Sequence, residues 1–191
     1  MFSSVWIDDT TEEVSLLSWP TIEEGNSLEE GVEVNGLNIK WSGYKLWNKT
    51  TTQPIPRQAM TFEYSATIIN IEEFSEYSCV KLVAGYKDLE YRLINGDILY
   101  GNKKIATYKG LTLNDTVCFS VRRLVLASNT LNLCEIRVNE NKCCSELVIE
   151  GVDIFPAVYI KSPGVELNTA FSIGNTHAKE GMFIYFLNNQ S

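Results

Sequence analysis

The feature that most limits what this chain can fold into is a two-residue rhythm of apolar side chains, cut at short intervals by turn formers. Phe62, Tyr64, Ala66 and Ile68 alternate strictly, as a strand does when one face is buried and the other is not. Val32, Val34, Leu37, Ile39 and Trp41 are spaced mainly by two, and Val80, Leu82 and Ala84 repeat the pattern before Gly85. Asn35-Gly36 and Asn95-Gly96-Asp97 interrupt such runs; these residues accept the positive φ that a tight hairpin demands. Further short runs are Tyr91-Arg-Leu-Ile94, Ile98-Leu-Tyr100, Val117-Cys-Phe-Ser-Val121, Leu124-Val-Leu126, Leu131-Asn-Leu-Cys-Glu-Ile136, Phe155-Pro-Ala-Val-Tyr-Ile160 and Gly181-Met-Phe-Ile-Tyr-Phe-Leu187. Pro54-Ile-Pro56 forces an extended link, and Pro163-Gly164 stops another run. No long amphipathic helix is read, and no strand–helix alternation. The runs recur at roughly the 8–12-residue spacing of an all-β sandwich or barrel. Glu72, Glu73, Phe74 and Glu76 read as a turn of helix or as a loop.

Composition narrows the function. The 191 residues suit one domain, and 45% of them are hydrophobic, too many for a disordered chain. With 16 Lys+Arg against 24 Asp+Glu the net charge is −8, which excludes a phosphate-backbone binder and hence a nucleic-acid partner. The start, Met1-Phe-Ser-Ser-Val-Trp-Ile-Asp-Asp, has neither a basic n-region nor a long apolar h-region. No run is long enough to cross a bilayer. A cytoplasmic, reducing location without a membrane partner is expected. The five cysteines, Cys79, Cys118, Cys134, Cys143 and Cys144, then read as small core residues. Asn48-Lys-Thr50, Asn114-Asp-Thr116 and Asn189-Gln-Ser191 read as chance matches to the glycosylation pattern. Acidic residues 8, 9, 12, 13, 23, 24, 29 and 30 surround Val14-Ser-Leu-Leu-Ser-Trp19-Pro20. An apolar island with a tryptophan predicts an arm, residues 1–30, docked on a domain of residues 31–188.

Catalytic and metal chemistry find little material. The single histidine, His177, lies beyond the main β pattern, and no Gly-x-Ser-x-Gly elbow occurs. Glu135 and Glu140 are five apart, on opposite faces of a regular strand, unlike the paired carboxylates of a glycosidase. Cys143 and Cys144 are adjacent and would point to opposite faces of a strand, not at one zinc ion. No Gly-rich phosphate loop is present. The expectation is a non-enzyme with no cofactor and no metal.

An ordered series of short matches resembles a SPRY domain of the Ran-binding-protein M and SPRY-SOCS-box kind. Leu17-Ser-Trp19-Pro20 resembles the family's entry motif. Gly36-Leu-Asn-Ile-Lys-Trp-Ser-Gly43 resembles its first strand and turn. Gln53-Pro-Ile-Pro56 followed by Thr61-Phe-Glu-Tyr-Ser-Ala-Thr-Ile68 resembles its "PIP…YFEVKI" unit. Asn95-Gly-Asp-Ile-Leu-Tyr-Gly-Asn-Lys-Lys104 is similar to the central hairpin, and Asn114-Asp-Thr-Val-Cys118 to the "GD-IGC" step. Phe155-Pro-Ala-Val-Tyr-Ile-Lys-Ser-Pro-Gly-Val-Glu-Leu-Asn168 carries the most specific likeness. The departures fall mostly in loops: Asn114 replaces a glycine, and the segment before the central hairpin is reduced to Tyr86-Lys-Asp-Leu-Glu-Tyr91.

The resemblance implies a two-sheet antiparallel β-sandwich of the concanavalin-like jelly-roll kind. It also implies a role in protein recognition, with loops on a rigid scaffold gripping a short peptide or another domain. The partner-binding residues implied are Tyr44, Lys45, Trp47, Tyr86, Asp88, Tyr91, Asn139 and Asn141; Lys161 and Ser162 lie on a further such loop. Trp41 is in strand phase and reads as core, whereas Trp47 reads either way. The chain is expected to act as an adaptor or competitor, and its charge favours a partner with a basic patch. A glycan-binding sandwich and a structural or viral surface subunit are the alternatives.

Overall fold

The structure is a computed structural model. It describes residues 32–174 apart from 36–37, 42–47, 52–53, 56, 58, 72–75, 126–129, 151–152 and 161–163. The expected arm, Tyr44, Lys45, Trp47, Lys161, Ser162, His177 and the run at 181–187 lie outside the described residues. The side chain of Trp41 does too.

Among the described residues the fold is all-β, and the strands in chain order are β1 (Val32–Asn35), β2 (Asn38–Trp41), β3 (Asn48–Thr51), β4 (Thr61–Asn70), β5 (Cys79–Ala84), β6 (Leu89–Arg92), β7 (Asp97–Tyr100), β8 (Lys103–Thr107), β9 (Thr116–Val125), β10 (Thr130–Val138), β11 (Asn141–Lys142), β12 (Leu147–Glu150), β13 (Ile154–Ile160) and β14 (Glu166–Gly174). They form two antiparallel sheets. The larger runs β1-β2-β14-β4-β9-β10, and its last edge is shared by β11 and β12. The smaller runs β3-β13-β5-β6-β7-β8. The expected two-sheet sandwich is therefore present.

The alternation read from the sequence sorts side chains between the sheets and outside. β4 sends Phe62, Tyr64, Ala66 and Ile68 inward, β9 sends Val117, Phe119 and Val121, and β5 answers with Val80, Leu82 and Ala84. Register aligns three rings into a rung across the larger sheet. Tyr64 pairs with Phe119 on one side and Phe171 on the other, with ring centroids 6.0 Å and 5.3 Å apart. Such cross-strand aromatic pairs fix register as well as burying area. The Tyr64 hydroxyl reaches across the core and donates to the Ala157 carbonyl at 3.3 Å, joining the two sheets.

The turns follow from local chemistry. β7 and β8 meet through Gly101-Asn102, and β10 and β11 through Asn139-Glu140, with positive φ at both residues of each pair. That is the type I′ hairpin, whose twist matches the strands. Asn95-Gly96 sits in a longer connection from Arg92 to Asp97, and Gly96 has φ +71. A Cβ placed there would lie 2.3 Å from the Lys109 carbonyl oxygen. Gly96→Ala is expected to cost about 2–4 kcal/mol, combining left-handed strain with overpacking against backbone. A denaturant titration showing a loss under about 0.5 kcal/mol would contradict that packing.

Candidate functional site

Strand directions, and hydrogen bonds made by the connecting segments, define two ends of the sandwich. At one end β4 begins, and β5 and β9 finish. Ile55 N–H donates to Ile154 O at 2.8 Å there, and Arg57 forms a two-pronged pair with Asp153, 3.1 Å on each arm. Arg123, buried at the same end, donates to Arg57 O at 2.9 Å and to Asn132 Oδ1 at 3.1 Å. Burial pulls the Arg123 guanidinium below its ordinary value. These contacts tie the connections at the Arg57 end to one another.

The opposite end is organised by Asp115. Its buried carboxylate accepts from Lys109 Nζ at 3.0 Å on both oxygens, from Thr112 N–H at 2.8 Å and hydroxyl at 2.9 Å, and from the Asn139 amide at 2.5 Å. Burial alone would raise its pKa. The Asn139, Thr112 and Lys109 donors outweigh that and hold the carboxyl well below the usual carboxylate range. Asn139 also accepts from Thr116 N–H at 2.9 Å. The 108–115 segment is thereby pinned between the β6–β7 turn, through Leu111 N–H to Leu93 O at 2.7 Å, and β4, through Asn114 N–H to Ile68 O at 2.8 Å.

The described candidates read from the sequence do not converge. Tyr86 and Asp88 lie in the β5–β6 turn at the Arg57 end, and Tyr86 is fully exposed. Asp88 accepts from Lys81 Nζ at 2.6 Å. Lys81 belongs to a charged cluster on the outer face of the smaller sheet, where Glu90 lies 3.7 Å from Lys81 and 2.8 Å from Arg92. Tyr91 is buried in the core, and its hydroxyl donates to Lys109 O at 2.6 Å. It braces the Asp115 end from inside, and burial raises its pKa. Asn139 and Asn141 are at the Asp115 end. Asn139 belongs to the carboxylate network and Asn141 is exposed beside it.

Side chains that sequence reasoning passed over give the Asp115 end its character. Among the described residues, Ile69, Tyr77, Ile94, Tyr108 and Leu113 are all large, apolar and exposed, and all sit on connections or strand ends at this pole. Ile69 is extruded by a bulge where β14 shifts register from Asn70 to Ile68. The available signal was apolar residues in turn segments with no strand phase to explain them.

The thiols offer no nucleophile of the activated kind. Burial pushes Cys79 up to about 12 and Cys143 up to about 11, and raises Cys118, Cys134 and Cys144 as well; a reactive cysteine needs the reverse. Cys143 and Cys144 follow β11, not inside a strand, and both pack half-buried against the core. Among the described residues no three His, Cys, Asp or Glu side chains gather as metal ligands, and no helix is long and apolar enough to cross a membrane.

By its own strand order the chain is a two-sheet antiparallel β-sandwich with loops at two poles. No protein-family model matches the sequence, and no curated protein sequence matches it. Among solved structures it is similar to the SPRY domain of human HERC1, with TM-score 0.47 and 14% identity over 75% of this chain and 91% of that one. It is also similar to the exoplasmic/lumenal domain of VIP36 in its Ca2+/Man3GlcNAc-bound form, with TM-score 0.47 and 8% identity over 77% and 82%. A legume lectin-like domain from Entamoeba histolytica gives TM-score 0.38 and 9% identity over 74% and 86%.

Proposed function

We propose that this chain is a non-catalytic protein-interaction module that holds a short peptide or protein partner at its Asp115 end, as an adaptor or competitor. The observation that carries the reading is the gathering of Ile69, Tyr77, Ile94, Tyr108 and Leu113 on one pole. Exposed apolar and tyrosine side chains grouped on one surface mark interaction sites. The Asp115 network supports the reading, because a loop already fixed in place loses little entropy when it binds. Asn139 and Asn141 border this surface, whereas Tyr86 and Asp88 stand at the other pole. The net charge of −8 favours a partner with a basic patch, through steering of the encounter.

The test is a partner captured by the full chain and then titrated calorimetrically against wild type and a Tyr108→Ala/Leu113→Asp double variant. Binding is expected to weaken at least about tenfold, the loss of one hot-spot contact, with an unchanged melting temperature. Equal affinity for both proteins sinks the reading. A glycan array that retains the chain through Tyr77 or Tyr108 would replace it with the sugar-binding alternative.

A further inference from the structure

A second surface, at the other pole and on the outer face of the larger sheet, has the features of a strand acceptor. On that face Leu124 of β9 pairs with Leu131 of β10, and Leu133 of β10 pairs with Val148 of β12. The inward positions between them are Arg123, Asn132 and Cys134, all buried. Leu124, Leu131 and Leu133 remain half-buried and Val148 is exposed. Four apolar side chains thus form one patch that ends at β12.

β12 is itself an edge. Among the described residues it pairs only with β10, over four consecutive positions without a bulge. One edge of the smaller sheet is different: β8 carries Lys103 and Lys104 and a register shift that extrudes Ile105. Lysines and bulges are what keep an edge from pairing with foreign strands. Leu147-Val-Ile-Glu150 contains no lysine and no proline.

We propose that β12 accepts an extended segment from a protein partner, added antiparallel or parallel along the edge that no described strand covers. That segment has lysine or arginine two residues on either side of an apolar residue. Main-chain groups of β12 would supply affinity, and Val148 would meet the partner's apolar residue on the shared face. Charge selects the flanks. Glu146 stands immediately before the strand, and among the described residues it is held by an exposed pair with Arg122 at 3.2 Å. Such pairs are weak enough to exchange for an incoming cation. A second copy of this chain fits poorly. Two copies each carry −8, and antiparallel pairing centred on Val148 sets acidic residue 146 opposite acidic residue 150. This surface is distinct from the Asp115 end, so the two proposals stand or fall separately.

The probe is a synthetic Thr-Lys-Thr-Val-Thr-Lys-Thr peptide, compared with its Glu-for-Lys counterpart, added to the full chain. Amide hydrogen exchange at residues 147–150 is expected to slow with the basic peptide, while residues 108–115 do not change. Val148→Lys and Glu146→Lys are each expected to weaken binding about tenfold, as a lost anchor does, without lowering the melting temperature, since both sites are exposed. The proposal is overturned if the basic peptide does not bind, if the acidic peptide binds as well, or if protection appears at 108–115 instead. Self-association of the free chain lost on Val148→Lys would also overturn it, naming a second copy as the occupant.

Discussion

Replacing Phe119 by alanine is expected to remove about 3–5 kcal/mol of stability, the usual cost of deleting a fully buried aromatic ring. Phe119 is buried in β9 and stacks on Tyr64, which stacks in turn on Phe171. The middle of the rung also bears the hydroxyl that reaches Ala157 on the facing sheet. Removing one ring therefore opens a cavity beside the link between the sheets, where neither sheet can collapse freely. In a domain of this size the loss corresponds to a melting temperature roughly 6–20 °C lower. Phe171→Ala is the internal comparison. Phe171 is only half-buried, so it should lose less. If calorimetry found the two equal, the rung would not act as a unit of stability.

Asp115→Ala is expected to cost about 3 kcal/mol and to loosen the 108–115 segment, because Thr112 N–H and the Asn139 amide lose a buried acceptor. Loss of partner binding should accompany loss of stability here, unlike the Leu113→Asp variant, which should lose binding alone. The dependence on pH separates the carboxylate from mere packing. Its folded pKa is depressed, so its contribution is complete above the carboxyl's unfolded value, near pH 4, and is lost as pH falls further toward the folded value. Wild type should therefore lose stability more steeply than Asp115→Ala below about pH 4. Asp97 and Glu135, also held low by Thr107 with Lys104 and by Lys142 with Arg137, titrate in both proteins and cancel in the difference. Parallel acid limbs in a urea-monitored pH series would refute the assignment.

The strands that face the core on one side and water on the other were legible because their alternation is clean. β4 and β5 are the clearest, with Phe62, Tyr64, Ala66 and Ile68 answered by Val80, Leu82 and Ala84. β14 is not legible as a strand. Its inward positions are Leu167, Thr169, Phe171 and Ile173, but Thr169 is buried while Ala170 is exposed, so polarity inverts at the centre. β3, Asn48-Lys-Thr-Thr51, carries no apolar signal at all, and β12 is too short to show a period. Asn35-Gly36 marked a true hairpin, but the closing pair is Asn35 with Asn38, so the loop is 36–37 and not the dipeptide itself. The ends were harder to read than the core. The family resemblance implies that the loops carrying Tyr86 and Asn139 share one binding face, but they stand at opposite poles. Which end a turn occupies depends on strand order, a long-range property that no local window contains. Tyr91 is implied as a contact because it closes the shortened Tyr86–Tyr91 segment, although it also opens the β-rich run Tyr91-Arg-Leu-Ile94. The strand ends at Arg92, so Tyr91 points inward while Ile94, in the turn, is exposed.

The place of β14 bears on how the chain comes to be folded during synthesis. The last strand described sits between β2 and β4, pairing Leu167 with Ile39 on one side and Ile68 on the other. Until residue 174 has left the ribosome, β4 has an open edge, the Tyr64 rung lacks Phe171, and β2 has no sheet to join. Nascent chains shorter than this hold unpaired, apolar strands that invite foreign pairing. Closure then spans more than a hundred residues of sequence, which places folding on the slow, millisecond-to-second side. Translation pauses before residue 174 should leave a protease-sensitive nascent chain, and release past it should convert that chain in one step.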